Sequence, residues 1–133
     1  MFTKIVFLHF GKFRSKEYSS IFEDYLDRIK HYTKVELKEM KVERDEPEFF
    51  NKIKDKIIIA LKGTTVLAFS ERGKLPSSVE FSNFIENGSG VLSVVVGSSW
   101  GLPDFVETKA NYLLSVGRLT LPHEAVRVLS AIL

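Results

Sequence analysis

Three short segments of the chain carry the residue types that suit a ligand site. Residues 70–74 read SERGK, residues 97–101 read GSSWG, and residues 116–121 read VGRLTL. Glycine and serine let a ligand approach the main chain closely, so that N–H and C=O groups can bind it. Each segment follows a predicted strand. If those strands are neighbours in a parallel sheet, the three segments meet at one sheet edge, where open α/β proteins bind ligands.

The first two segments leave their roles open. Residues 70–74 are polar, with Gly73 able to take a positive φ, and are typical either of a turn or of part of a site. Residues 97–101 match neither the G-x-G-x-x-G fingerprint nor a phosphate-binding loop, because no G-K-[ST] follows. Trp100 is typical of a packed core or interface aromatic; the alternative is a platform on which a base stacks.

The third segment is unusual because it is apolar. Val116, Leu119 and Leu121 lie in what should be an exposed connection, so they need cover from an adenine-like ring, a partner subunit or another part of the chain. Pro122 then begins a helix, with His123 in its first turn. The helix dipole disfavours a charged histidine there, so a neutral packing or capping role is favoured over a role as base.

Basic residues are concentrated in the first half of the chain. Residues 1–63 contain 14 Lys and Arg against 11 Asp and Glu, whereas residues 64–133 contain 5 against 6. The tightest group is Lys12, Arg14 and Lys16. A solvated loop is the simpler interpretation of this group, and contact with phosphates is the alternative.

Composition excludes several classes of protein. The chain has 133 residues, 44% of them hydrophobic, which is enough for one domain with a sizeable core. It has no cysteine, which excludes disulfides, a thiolate nucleophile and a Cys-based zinc site, and its three histidines are too scattered to predict a metal site. It contains neither an apolar run of membrane length nor a signal-peptide pattern, so we expect a soluble, cytoplasmic protein.

Strand-like and helix-like patterns alternate along the chain. Predicted strands cover residues 3–10, 35–40, 64–69, 91–96 and 112–115. Predicted helices run from Ser15 to Tyr32, from Pro47 to Gly63, from the Ser77–Glu80 capping box, over 103–110, and from Pro122 onward. Apolar strands between helices predict an α/β fold with a mainly parallel sheet, whose charged strand 35–40 lies at an edge. Residues 97–101 should then lie at the carboxyl end of a strand rather than form a hairpin turn.

Taken in order, the three segments resemble those of one known family. The stretches VLAFSERGK, SVVVGSSWGL and SVGRLTLPHEAVRVL are similar to the loops of SPOUT-class methyltransferases that methylate N3 of a pseudouridine in 23S rRNA. Residues 120–128, which read TLPHEAVRV, are the most specific part. The amino-terminal strand, the turn at residues 11–12 and the tyrosine-rich helix are also similar. The resemblance therefore covers essentially the whole chain.

The resemblance implies an α/β fold in which helices flank a mainly parallel sheet, with a trefoil knot at the carboxyl end. It implies a single SPOUT domain over residues 1–133, and a homodimer that acts on 23S rRNA in the ribosome without a metal. S-adenosylmethionine would bind largely through main-chain groups, with apolar side chains walling the adenine. The implied cofactor-binding residues are Phe69, Gly97, Ser98, Gly101, Val116, Gly117, Arg118, Leu119, Thr120 and Leu121.

The chain also departs from the pattern of that family. Ser70 replaces an aspartate, Ser98 a glycine and Gly117 a serine, and main-chain binding is retained at Ser98 if its φ is negative. Family members continue beyond Leu133 into a tail associated with the substrate site, which this chain lacks, so we name no catalytic base. The alternative function is a knotted rRNA-binding or dimerisation module without catalytic activity.

Three basic residues are the predicted substrate contacts. Lys12 and Arg14 are placed to contact rRNA phosphates, whereas Arg127 is expected to pack its helix first and to act on the substrate electrostatically second. Methyl transfer from a sulfonium is an in-line displacement, so catalysis comes largely from holding donor and acceptor aligned in a dry site. The imide N3 must also lose its proton, with help from a base or a cation.

Overall fold

The computed structural model describes residues 1–41, 47–98, 101–117 and 121–132, which form five strands and six helices. The strands are β1 (Lys4–Phe10), β2 (Lys34–Met40), β3 (Thr65–Lys74), β4 (Val91–Val96) and β5 (Tyr112–Leu114). The helices are α1 (Lys16–Lys30), α2 (Pro47–Lys52), α3 (Lys54–Leu61), α4 (Ser78–Asn87), α5 (Asp104–Lys109) and α6 (His123–Ile132).

The strands form one sheet in the order β2-β1-β4-β3-β5, and every neighbouring pair is parallel. The predicted α/β class and parallel sheet are confirmed. Strand β2 lies at an edge, as its charged sequence predicts, since exposed charges are tolerated there. The apolar strand β4 lies at the centre, where both faces of a strand are covered.

Helices cover both faces of the sheet. On one face α1 and α6 bury Phe22 and Val128 against the strands, and on the other α3 and α5 bury Ile57 and Val106. Successive strand residues point to opposite faces, so Val94 belongs to the first cluster, whereas Val95 belongs to the second. This packing on both sides holds the ends of the central strands in fixed positions.

Capping side chains begin two helices as predicted. The Oγ of Ser15 accepts a hydrogen bond from the Tyr18 N–H at 3.2 Å. The Oγ of Ser77 accepts from the Glu80 N–H at 3.1 Å, and the Glu80 carboxylate accepts from the Ser77 N–H at 3.3 Å, which completes the capping box. Helix α1 ends at Lys30 rather than at Tyr32, which is exposed.

The single helix predicted from Pro47 to Gly63 is wrong, because the structure has two helices there. Helices α2 and α3 are separated at Ile53, whose φ of −103° and ψ of 11° interrupt the helix. The break leaves the apolar spacing intact, since Ile53, Ile57 and Leu61 are all buried. Periodicity alone therefore contains no signal for it.

The loop predicted at residues 70–74 is also wrong, because β3 continues through Lys74. Both Phe69 and Lys74 align with Leu114 of β5, so the residues between them form an irregularity of the strand. A Cβ at Gly73 would lie 2.6 Å from the main-chain carbonyl carbon of Leu114. Close approach of a neighbouring strand, rather than a positive φ, explains the glycine at this position.

Candidate functional site

A cleft of about 510 Å³ opens at the carboxyl edge of β3, β4 and β5. Its volume is within the range of about 300 to 1,000 Å³ that is typical of small-molecule sites. The cleft is lined by residues from all three of the glycine-containing segments that follow these strands. The predicted cofactor-binding residues that line it are Phe69, Gly97, Ser98, Gly101, Val116, Gly117 and Leu121. Arg118, Leu119 and Thr120 lie outside the described residues, as does Trp100.

The segment after β4 folds back tightly on itself. The Ser98 N–H donates to the Gly101 carbonyl at 3.3 Å, and the Gly101 N–H donates to the Ser98 carbonyl at 2.9 Å. A Cβ on Gly97 would lie 2.5 Å from the Gly101 carbonyl oxygen, and Gly101 itself has a φ of 82°. Both positions therefore require glycine.

This geometry bears on two predictions. The expectation that residues 97–101 do not form a hairpin turn between strands is confirmed, because β4 pairs only with parallel neighbours; Ser98 and Gly101 form an isolated antiparallel bridge. The turn joins no two strands of the sheet, and it lies at the carboxyl end of β4 as predicted. Ser98 does not have a positive φ, so replacing glycine by serine introduces no main-chain strain of that kind.

Ser115 ties the third segment to the first. Its N–H donates to the Lys74 carbonyl at 2.8 Å, while its Oγ donates to the Gly117 carbonyl at 2.6 Å and accepts from the Gly117 N–H at 3.3 Å. Val116 packs against the core and also lines the cleft. Another part of the chain therefore covers this apolar residue on one side, and the cleft lies on the other.

A group of hydrogen-bonded polar side chains lines the cleft beside Phe69. The Ser70 Oγ donates to Glu107 Oε1 at 2.7 Å and accepts from the Arg72 N–H at 3.2 Å. The Arg72 Nη2 lies 2.7 Å from Glu107 Oε2 and 3.7 Å from Asp104 Oδ1. The hydrogen bond to Glu107, and then the charge of Glu107, raise the pKa of Arg72 above its ordinary value.

Sequence reasoning missed Glu107 as a site residue. It lies on α5, outside every motif, and 37 positions from Ser70 along the chain. The nearest available signal was the replacement of an expected aspartate by Ser70, which leaves room for a carboxylate from another element. Only the docking of α5 beside the end of β3 brings that carboxylate to the cleft.

Lys12 and Arg14 are exposed in the connection between β1 and α1. Because all the strands are parallel, this connection leaves the same edge of the sheet as the cleft, although neither residue lines the cleft. Beneath it, the Glu124 carboxylate of α6 accepts hydrogen bonds from the N–H groups of Arg14 and Ser15 at 3.1 and 3.0 Å. A carboxylate at the amino end of α1 also interacts favourably with the helix dipole.

Arg127 lies in the interior, with 1% of its surface exposed. Its Nη2 donates to the Phe10 carbonyl at 2.8 Å and its Nη1 to the Gly11 carbonyl at 3.4 Å, and its guanidinium lies 5.1 Å from the centre of the Phe13 ring. Burial lowers the pKa of Arg127, against the opposing charges of Glu124 and Glu39. This placement favours the packing role, and the substrate role of Arg127 stays a prediction.

Two histidines, His9 and His123, are close enough to interact electrostatically. His123, the first residue of α6, lines the cleft. His9 is fully buried among Phe13 and Phe22, and neither of its ring nitrogens has a hydrogen-bond partner among the described residues. Burial, then the charge of Arg127 and that of His123, lower the pKa of His9 to about 3, so its ring is neutral at pH 7.

The described part of the chain offers neither a metal centre nor a membrane span. Across residues 1–41, 47–98, 101–117 and 121–132, no group of three or more His, Cys, Asp or Glu side chains is arranged to hold a metal ion. No helix in that same part is both long and apolar enough to cross a membrane.

Comparison with known proteins identifies the family. A family model described as "Predicted SPOUT methyltransferase" matches residues 3–131. The chain belongs to the SPOUT methyltransferase family. The resemblance predicted from the three segments is therefore confirmed, and the match extends over nearly the whole of the described structure.

Three curated relatives of this SPOUT methyltransferase share one name. The chain is 32% identical to "Ribosomal RNA large subunit methyltransferase H" of Oenococcus oeni over 133 positions, which cover 90% of this chain and 82% of the relative. It is 36% identical over 129 positions to the protein of that name from Caldicellulosiruptor bescii, covering 90% of this chain and 83% of the relative. It is 30% identical to the Clostridium acetobutylicum protein of that name over an alignment of 138 positions, which covers 94% of this chain and 87% of the relative.

Proposed function

We propose that this protein is an S-adenosylmethionine-dependent methyltransferase that methylates N3 of a pseudouridine in 23S rRNA. Membership of the SPOUT methyltransferase family and the name shared by the relatives support an rRNA methyltransferase. The observation that carries the proposal is the cleft, because seven of the ten residues predicted to bind the cofactor line it.

The lining of the cleft fits S-adenosylmethionine. Phe69, Leu102 and Leu114 offer apolar contact to an adenine ring, and the cleft also has polar groups from Ser70 and Glu107. Gly117 also lines the cleft, and a Cβ there would meet nothing within 4 Å, so at this point a ligand can approach the main chain closely. Apolar walls with a few fixed polar groups are the usual composition of a cofactor site.

The chain's own residues would contribute mainly by binding and orientation. When bound, S-adenosylmethionine supplies an electrophilic methyl group on a sulfonium. The tight turn at Ser98 and Gly101 and the hydrogen-bonded turn at Ser115 and Gly117 keep the cleft walls in place, which favours alignment of the acceptor nitrogen with that methyl group. For transfer, the pseudouridine N3 would have to lose its proton to a base or to solvent, and the residues lining the cleft would hold the methyl donor in line with the electron pair left on that nitrogen.

The rRNA is proposed to reach the cleft over the connection between β1 and α1. Lys12 and Arg14 are exposed there, at the sheet edge from which the cleft opens, and the Glu124 carboxylate accepts from the Arg14 and Ser15 N–H groups beneath. Phosphate contacts at these residues would position the RNA without reading its sequence. We further propose that residues 1–133 form one domain with a carboxyl-terminal trefoil knot, and that the protein acts as a homodimer on the ribosome in the cytoplasm.

Two measurements test the function. Calorimetry with S-adenosylmethionine should show binding to one site per chain, and absence of binding would refute the proposal. Mass spectrometry of 23S rRNA from a strain that lacks the gene should show the loss of one methyl group on a pseudouridine, restored by the wild-type gene. Cofactor or RNA binding with an unchanged modification pattern would instead indicate a binding module without catalytic activity.

A separate measurement tests the RNA contacts. Affinity for ribosomal RNA falls as the salt concentration rises. Replacing Lys12 and Arg14 together by glutamine should make the plot of log affinity against log salt concentration less steep, by about one for each phosphate that the two side chains neutralise. The matched control is Lys62→Gln with Lys109→Gln, which removes the same charge from exposed residues outside this connection. An equal slope in the two double variants would argue against contact at Lys12 and Arg14.

A further inference from the structure

We infer that Glu107 determines the charge preference of the cleft, favouring the cationic methyl donor over the neutral product that remains after transfer. The inference rests on the proposed function. It begins from the polar group beside Phe69, whose carboxylate, Glu107, lies outside every motif of the sequence.

The Glu107 carboxylate is held at both oxygens. Ser70 donates a hydrogen bond to Oε1 at 2.7 Å, and the Arg72 guanidinium lies 2.7 Å from Oε2. Ser70 is itself oriented, because its Oγ accepts from the Arg72 N–H at 3.2 Å. A carboxylate held in this way stays in one position when a ligand binds, and each oxygen keeps a further lone pair with which to accept.

The carboxylate is also the most sheltered of the Asp, Glu, Lys and Arg side chains that line the described part of the cleft. Those groups are Glu71, Arg72 and Glu107. The Glu107 side chain is 16% exposed, whereas that of Arg72 is 68% exposed and Glu71 is exposed as well. Water and salt screen an exposed charge more strongly than a sheltered one. Glu107 therefore has more influence on the potential inside the cleft than its partner Arg72 does.

A negative potential in the cleft distinguishes the two forms of the cofactor. S-adenosylmethionine carries a sulfonium and an ammonium against a single carboxylate, so it is a cation overall. S-adenosylhomocysteine has lost the sulfonium charge with the methyl group and is neutral overall. The two molecules are otherwise nearly identical, so their affinity ratio reports on charge more than on shape.

Coulomb's law gives the size of the effect to expect. For a separation of about 6 to 8 Å and an effective dielectric constant of about 40, one unit charge changes the affinity for a cation by about six- to tenfold. Removing the Glu107 charge would also leave Arg72 with Asp104, at 3.7 Å, as its close anionic partner among the described residues. Both changes weaken the binding of a cation in the cleft.

The test is calorimetry of S-adenosylmethionine and S-adenosylhomocysteine binding to the wild type and to Glu107→Gln. We expect the preference for the donor, expressed as the ratio of the two affinities, to fall by about fivefold or more in the variant. Glu107→Asp, which keeps the charge, should retain most of the preference. Glu23→Gln, which removes an equal charge from the exposed surface of α1, should leave the ratio unchanged.

The outcomes separate this inference from the proposed function. Wild-type protein that fails to bind S-adenosylmethionine overturns both. Wild-type protein that binds the donor, together with a Glu107→Gln variant that keeps the wild-type ratio, overturns the inference alone. So does an equal loss of affinity for both molecules, since that would indicate a hydrogen bond rather than charge selection. If Glu107→Gln fails to fold, Ser70→Ala is measured instead. It releases one oxygen of the Glu107 carboxylate, so it should lower the ratio of donor to product affinity by a smaller factor, and an unchanged ratio would overturn the inference.

Discussion

Replacing His9 by leucine should remove a loss of stability that the wild-type protein suffers in acid. His9 is fully buried, and its ring makes contacts with Phe13 and Phe22 at centroid distances of 5.6 and 5.0 Å. Neither ring nitrogen has a hydrogen-bond partner in the described structure, so the charged form would be poorly stabilised. Burial first, and then the charge of Arg127, lower its pKa from 6.5 to about 3.

The sign of the effect follows from which state binds the proton. Well above pH 6.5 the histidine is neutral in both states, so there it adds no pH dependence. Between pH 6.5 and about 3 the unfolded chain binds a proton that the folded protein excludes. The free energy of unfolding therefore falls as the pH falls through that window. At about pH 5 the loss amounts to about 2 kcal/mol, and it has this size for any folded pKa well below 5.

Urea unfolding at about pH 7 and about pH 5 measures this loss, provided that it is compared between variants. Carboxylates elsewhere also titrate, but they contribute equally to the wild type and to His9→Leu. We expect the wild type to lose about 2 kcal/mol more than His9→Leu between the two pH values. His31→Leu, at an exposed histidine, should lose as much as the wild type. Equal losses in wild type and His9→Leu would refute the reasoning.

Three further predictions concern the cleft and its support. Ser98→Leu should abolish binding of S-adenosylmethionine in calorimetry and leave the circular dichroism spectrum unchanged, because Ser98 lines the cleft. The control is Ser82→Leu, at an exposed position of α4, which should bind normally. Binding by Ser98→Leu would show that Ser98 is not close to the cofactor. Gly97→Ala should cost about 1 to 3 kcal/mol of unfolding free energy, because its Cβ would meet the Gly101 carbonyl. Gly117→Ala, where a Cβ meets nothing within 4 Å, should change stability little, so similar losses in the two would contradict the packing argument. Arg127→Met should lower the free energy of unfolding by about 2 kcal/mol or more in urea unfolding, because the Phe10 and Gly11 carbonyls lose their donor; a fully stable variant would show that those hydrogen bonds contribute little.

The positions of the main elements could be predicted because their signals are local. Strand-like runs, four of them mostly apolar and one charged, predicted every strand of the described sheet, and the side chains of Ser15 and Ser77 marked two helix starts. The errors occurred where a distant element decides the conformation. Residues 70–74 are strand rather than loop because β5 pairs beside them, and Gly73 is required by the Leu114 main chain rather than by its own φ.

The same distinction applies to the cleft. Its three segments were recognisable because small residues and a proline-led helix follow apolar strands in a set order. Glu107 was not recognisable, since an acidic residue on a short helix is ordinary in isolation and acquires its role only beside Ser70 and Arg72. The sequence leaves Arg127 two roles, and only the packing of α6 on the end of β1 shows that Arg127 is buried against Phe13.

The sequence by itself determined the class of fold, the family and the three segments at the carboxyl edge of the sheet, because periodicity, caps and motifs are properties of neighbouring residues. Only the tertiary structure decided which charges face the cleft and which lie in the core. Those outcomes depend on distances between residues far apart along the chain, such as the 2.7 Å between Ser70 and Glu107. A hydrogen bond of that length requires both α5 and β3 to be in place, and neither local sequence specifies the other's position.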